Sequence, residues 1–188
     1  KLQSTDSIII GGSPFSVGGV NLLPDSDFEN TSGGWLASGG ASLERGTYSI
    51  TYKNKCLRVY IPQGTTGANT YLTYTGFEVG KQYTFSCYSV VASGVGARIW
   101  TSFGGWAIKT DIVHNAENAW NRYILTFTAT GTSGQIYISG NAHPSSAYHL
   151  YVDNVQLEKG TMATDWSPSP ADPASGVKTS SVEVNSNG

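Results

Sequence analysis

Apolar positions along this chain recur with a period of two, in short runs that glycine, proline or asparagine interrupts. Leu57, Val59 and Ile61 alternate with other neighbours in KCLRVYI, Tyr83, Phe85 and Cys87 do so in YTFSCYSV, and Ile136 and Ile138 flank Tyr137. Such alternation marks strands with one face on a core and the other toward solvent. It predicts strands near 41–52, 55–61, 68–74, 82–92, 97–103, 107–113, 120–129, 135–139 and 148–157. Turn signals separate them, among them Gln63-Gly64, Val79-Gly80, Ser93-Gly94 and Gly104-Gly105. Leu22 and Leu23 open a further strand, which Pro24 confines to an edge or opening position. No segment sustains a period of 3.6; residues 114–119 come nearest to a helix. Short, evenly spaced strands without interposed helices predict an all-β protein, a two-sheet jelly-roll β-sandwich with flanking linker segments.

The pattern also divides the chain. Residues 1–20 mix two glycine pairs and a proline with short apolar patches and read as a connector, with one short strand over 7–10. Residues 21–167 form the sandwich. Residues 168–188 are rich in proline, serine and asparagine and read as a linker toward a further module. In the last predicted strand the alternation slips by one at Asp153-Asn154, where a carboxylate stands between apolar neighbours.

Composition sharpens this picture. Charged residues make up 13% of the chain and aromatic residues 12%, which suits a β-protein with polar but uncharged surfaces. A net charge of −2 offers no basic field for a nucleic-acid backbone, so nucleic acid is not an expected partner. Ile8 to Ile10 is the longest aliphatic run near the start, too short for a signal-peptide core or a membrane span. Cys56 falls opposite the core set of its strand and Cys87 within the core set of its own, so a disulfide would need local distortion. Two free thiols are expected, as suits assembly in a reducing cytoplasm.

Candidate chemistry follows from the outward positions. A sugar ring has an apolar face of C–H groups edged by hydroxyls, so it is bound by an aromatic ring beneath and polar side chains at its rim. The alternation turns Tyr88, Arg98, Trp100 and Tyr137 outward and leaves Trp106 at a loop tip after Gly104-Gly105. These five are the candidate carbohydrate-binding residues; the competing expectation buries Trp100 under a loop or against a partner subunit. Tyr48, Tyr52 and Tyr71 are left open to either face. Asp25, Asp27 and Glu29 near the start and Asp153 in the last strand are hard oxygen donors of the kind Ca²⁺ takes, although D-x-D-x-E lacks the EF-hand glycine and distant glutamate. Turn capping or pairing with Lys or Arg would occupy the same carboxylates. Catalysis finds no support: His114, His143 and His149 have no metal-ligand spacing, no nucleophile motif occurs, and the acidic residues form no recognisable pair.

Two stretches carry a resemblance. VDNVQLEKGTMATDWSPSPAD, residues 152–172, resembles the closing segment of carbohydrate-binding-module-like β-sandwich domains of phage tail, tail-fibre and baseplate proteins. NLLPDSDFE, residues 21–29, together with Trp35, resembles the first strand of the same galactose-binding-like jelly rolls. The resemblance implies a non-catalytic module of the virion tail, assembled in the host cytoplasm, that binds host cell-surface glycans during adsorption. It implies further tail domains as partners, a homo-oligomer such as a trimer, and no membrane insertion. It also implies a structural Ca²⁺ held by Glu29 and Asp153 with Asp27 close by, and structural roles for Trp35 and Trp120. A reading of another class makes the domain a spacer or oligomerisation unit of a tail fibre or baseplate without its own ligand. A third class appends the module to a polysaccharide-degrading enzyme.

Overall fold

The computed structural model describes residues 8–10, 13–15, 19–49, 53–91, 96–103, 106–112, 119–141 and 145–172. A hairpin of β1 (Ile8–Ile10) and β2 (Ser13–Phe15) precedes ten strands: β3 (Leu36–Ser38), β4 (Ser42–Gly46), β5 (Cys56–Ile61), β6 (Asn69–Tyr74), β7 (Gln82–Val91), β8 (Ala97–Ser102), β9 (Trp106–Ile112), β10 (Asn121–Thr128), β11 (Gly134–Gly140) and β12 (Tyr148–Lys159). They form two antiparallel five-stranded sheets. The first has the order β3-β6-β11-β8-β9 and the second β10-β7-β12-β5-β4. After β5 the chain passes repeatedly from one sheet to the other, so strands adjacent in sequence commonly lie in different layers. This is the expected jelly-roll sandwich.

The alternating apolar residues meet between the layers. Leu72, Ile99, Ile136 and Ile138 of the first sheet face Leu57, Val59, Ile61, Phe85, Leu150, Val152 and Leu157 of the second, and all are buried. Fully burying a side chain of this size is worth roughly 1.5–3 kcal/mol against leaving it in water. Phe77 closes one end of the core, edge-on to Tyr74, Tyr83 and Phe103 at centroid distances of 4.8, 4.9 and 5.0 Å. Trp35, 3% exposed, packs against Phe85 and fills the space beside it.

Three features depart from the alternation or sharpen it. Residues 21–29 do not form the predicted strand: Asp25 and Phe28 take positive φ angles of 47° and 57°, and the segment runs as turns along β12. Leu22 N–H donates to the Leu157 carbonyl at 2.8 Å, and Val155 N–H donates to the Ser26 carbonyl at 2.9 Å. The short strand β3 was not among the predicted strands. Its turn needs Gly39, with φ 65°, because a Cβ there would stand 2.0 Å from the Gly67 carbonyl oxygen. The slip at Asp153-Asn154 is a β-bulge, where the pairing of β12 with β7 jumps from Asp153↔Tyr88 to Gln156↔Ser86. Asn154 takes φ 46°, a conformation asparagine tolerates better than most residues. Neither cysteine is in a disulfide, and both are buried. The helix candidate at 114–119 lies mostly outside the described residues, as do His114, His143 and the tail beyond 172.

Candidate functional site: an aromatic row between two polar rows

Register puts the outward residues of the first sheet into rows that cross its strands. In the central row Tyr137 of β11 stands opposite Tyr71 of β6 on one side and opposite Trp100 of β8 on the other. The Trp100 and Tyr137 rings are face to face, with centroids 3.7 Å apart and planes 2° from parallel. Tyr71 continues the row at 5.4 Å and 29°. Neighbouring strands are about 4.8 Å apart, so rings stacked at this spacing stand up from the sheet. Their edges face solvent, and most of their faces are turned to one another.

Polar residues lie on both sides of this row. On one side Ser38, Asn69, Ser139 and Arg98 follow one another across β3, β6, β11 and β8. On the other, Thr73, Gln135 and Ser102 do the same. The rows are tied together. Trp100 Nε1–H donates to Ser139 Oγ at 2.8 Å, Tyr137 Oη–H donates to Gln135 Oε1, and Ser38 Oγ–H donates to Asn69 Oδ1 at 2.7 Å. Asn69 Nδ2–H in turn donates to the Gly67 carbonyl at 2.7 Å, which fixes the loop before β6. A cavity of about 470 Å³ opens over the first polar row, bounded by Trp100 and Tyr137, by Thr66 and Gly67, and by Gly140 and Asn141. Among the described residues, Arg98 is the sole charged residue of its lining. Its donors and acceptors are already oriented by their neighbours.

The predicted residues separate accordingly. Arg98, Trp100 and Tyr137 are brought together here. Trp100 does face outward, but it is 8% exposed because Tyr137 covers one face, so it is a wall of the groove and not the open platform expected. Tyr88 is a correction: it lies on β7 of the second sheet, opposite Asp153 and Arg122, and cannot share a surface with Trp100. Trp106 begins β9, paired with Ser102, where a loop tip was expected; its side chain is outside the described residues. Tyr71, Asn69 and Ser139 were missed as site residues. Only the register of β6 against β11 assembles them, and no local signal in the sequence carries that register.

Asp153 lies on the second sheet, and Asp25, Asp27 and Glu29 lie in the turn segment that runs along β12. Asp153 is fully buried; its Oδ1 accepts from Asn154 N–H at 2.6 Å, whereas its Oδ2 and the nearby Asn154 Oδ1 have no hydrogen-bond partner. Burial above all, with smaller contributions from Asp27 and Glu29, raises the Asp153 carboxyl to a pKa of about 7, against the pull of Lys53. Burial likewise raises Asp27. Glu29 Oε1 accepts from the N–H groups of Asn54 and Lys55 at 3.3 and 3.2 Å. Among the described residues no three acidic, histidine or cysteine side chains are close enough to hold a metal ion on their own.

Comparison with known proteins bears on the family and the fold. Residues 20–162 match a family model described as a carbohydrate binding domain. Among solved structures, the N-terminal cellulose-binding domain of a β-1,4-glucanase from Cellulomonas fimi superposes with a TM-score of 0.55 at 21% identity, covering 74% of this chain and 99% of that one. A xylan-binding domain from Paenibacillus barcinonensis gives 0.57 at 17% identity, covering 79% and 100%. Tailspike protein 4 of bacteriophage CBA120 gives 0.56 at 15% identity, with 75% of this chain aligned to 22% of that one. At these identities the structures share the fold. No curated protein matches the chain.

Proposed function

The chain belongs to the carbohydrate binding domain family, and on that premise we propose that it binds an uncharged glycan chain along the groove of the first sheet. The observation that carries this reading is the row Tyr71–Tyr137–Trp100 set between two rows of hydrogen-bonding side chains. The sugar's C–H face packs against the ring edges and the exposed part of the Trp100 wall, while Asn69, Ser139, Arg98 and Gln135 meet its hydroxyls. Because Ser38, Gly67 and Gln135 already hold these groups in place, little side-chain entropy is lost on binding. Structures with this fold are named for binding cellulose, xylan and β-1,4-galactotriose, which supports an uncharged β-linked chain as ligand.

We assign the module to a phage tail-associated protein that engages host cell-surface glycans during adsorption, in a virion assembled in the host cytoplasm. The closing motif from Asp153 to Asp172 and the likeness to a tailspike support this setting. Repeated copies, such as a trimer, would turn weak single-site binding into avidity. The same reading includes a structural Ca²⁺ at Asp153. Two orphaned, buried oxygens are hard donors that a hard cation would satisfy, Glu29 and Asp27 stand near in charge, and backbone carbonyls or water would complete the shell. The ion would fasten the segment carrying Glu29 to the last strand.

A glycan array followed by isothermal titration tests the binding. Selective binding that Tyr137→Ala and Asn69→Ala each weaken, with the melting curve intact, is the expected result. A correctly folded domain that binds no glycan on the array would overturn the reading in favour of a spacer.

A further inference from the structure

The outer face of the second sheet carries its own aromatic and polar rows, at the end away from the bulge. In one row Tyr60 of β5 stands opposite His149 of β12 and Ser42 of β4; in the next, Arg58 stands opposite Tyr151 and Glu44. Tyr60 and His149 rings are 5.5 Å apart, and His149 and Tyr151 are 6.2 Å apart. Tyr48 meets Tyr151 edge-on at 5.6 Å, and the Arg58 guanidinium lies 4.5 Å over the Tyr48 ring. Tyr60 is 38% exposed, and His149, Tyr151, Tyr48 and Arg58 are half-buried.

The surface is uncharged in sum. Arg58 is paired with Glu44, and burial together with the Arg58 charge lowers the pKa of His149, so the imidazole is neutral at physiological pH. No net charge is offered to an acidic or basic partner. Nor is this an apolar protein-docking patch: of the exposed large apolar side chains among the described residues, only Tyr60 lies here, and Val20, Leu36, Val79, Ile124 and Met162 lie elsewhere. Clustered ring edges interleaved with a hydroxyl, an imidazole and a guanidinium–carboxylate pair are what a polyol with apolar C–H faces requires.

We propose that Tyr60, His149 and Tyr151, with Arg58 and Glu44 at their rim, form a second binding surface for an uncharged glycan chain, on the opposite side of the sandwich from the groove. It rests on the premise that the domain binds uncharged glycans, but not on the groove being the place where it does so. Two sugar surfaces facing opposite ways would let one domain bridge two polysaccharide chains.

The test is an amide chemical-shift titration of the full chain with cellohexaose, xylohexaose and β-1,4-galactotriose in turn. Shifts are expected in two separate sets, one around Tyr71, Tyr137 and Ser139 and one around Tyr60, His149 and Tyr151. Tyr60→Ala should remove the second set, leave the first, and halve the sugar bound per chain at saturation; Tyr137→Ala should do the reverse. Shifts confined to the groove would overturn the second surface and leave the groove standing. Shifts confined to the second surface would uphold it and overturn the groove. Shifts at neither, up to millimolar sugar, would overturn both. The mapping on the unmodified chain keeps the outcome readable if a variant folds poorly.

Discussion

The groove of the first sheet and the bulged end of β12 in the second present the same kind of residue outward and use it in opposite ways. In the groove, Asn69 and Ser139 are held by neighbours yet border an open cavity. Along β12, Asp153, Asn154, Gln156 and Glu158 also point away from the core, yet each is almost wholly buried. The segment beginning at Gly19 and the segment 160–172 lie over them. Asn21 is the centre of this clasp: its Nδ2 donates to Ser26 Oγ at 2.8 Å and the Ser167 carbonyl at 2.9 Å, and its Oδ1 accepts from Leu23 and Leu157 N–H. Gln156 Oε1 accepts from Ser167 N–H, both Glu158 oxygens accept from Thr164, and Trp166 Nε1–H reaches Ser26 Oγ and the Val155 carbonyl. The lesson is that polar residues on a sheet face acquire a role from what the rest of the chain lays over them.

The largest expected effect bears on the clasp. Asp153 has a folded pKa of about 7 against an ordinary value of 3.8, so its neutral form contributes stability that is complete below pH 3.8 and is lost as pH rises through 7. Without calcium, the difference in unfolding free energy between the protein and Asp153→Asn should shift against the protein by up to about 4 kcal/mol from pH 4 to pH 8. Calcium at pH 8 should recover stability in the protein and not in the variant; denaturant melts at both pH values, with calcium or chelator, check this. Glycan binding at the groove should stay flat over the same range, because none of the described residues lining its cavity is acidic or histidine.

Next, Asn21→Ala leaves several buried groups without partners and should cost about 3 kcal/mol in a urea melt, while the folded fraction binds glycan unchanged. A coupled loss of affinity would erase the distinction between the two regions. Tyr137→Ala should invert the pattern, weakening binding about tenfold, or about 1.4 kcal/mol, in isothermal titration, with a smaller effect on melting. Smallest of all, Glu78→Gln breaks an exposed ion pair with Lys159 and should leave both melting and binding within measurement error.

The sandwich was legible because alternation is a local property that survives without knowledge of partners. Even the bulge showed, since one residue in a left-handed conformation shifts every later side chain to the other face. The segment 21–29 misled because Leu22 and Leu23 read as a strand, whereas backbone N–H groups donating to the Asn21 and Asp25 side chains fold it into turns. Tyr88 and Trp100 were joined because their strands follow one another, yet a jelly roll sends β7 and β8 to different sheets. Tyr71 lies far from Trp100 in sequence, and only tertiary register sets it in the same row. Trp166 of the closing motif is held against the sandwich by its indole N–H, and its ring carries the Lys53 ammonium 4.1 Å from its centroid.

The clasp also sets where mechanical load travels. Asn21 binds the Ser167 carbonyl, Asp25 N–H binds Asp172, and both segments anchor on β12, so the chain arrives and departs at one corner of the sandwich. Tension between residues 19 and 172 therefore pulls on this buckle first, while the first sheet lies off the line of force. The groove would keep its shape under a pull that had already begun to open the opposite corner.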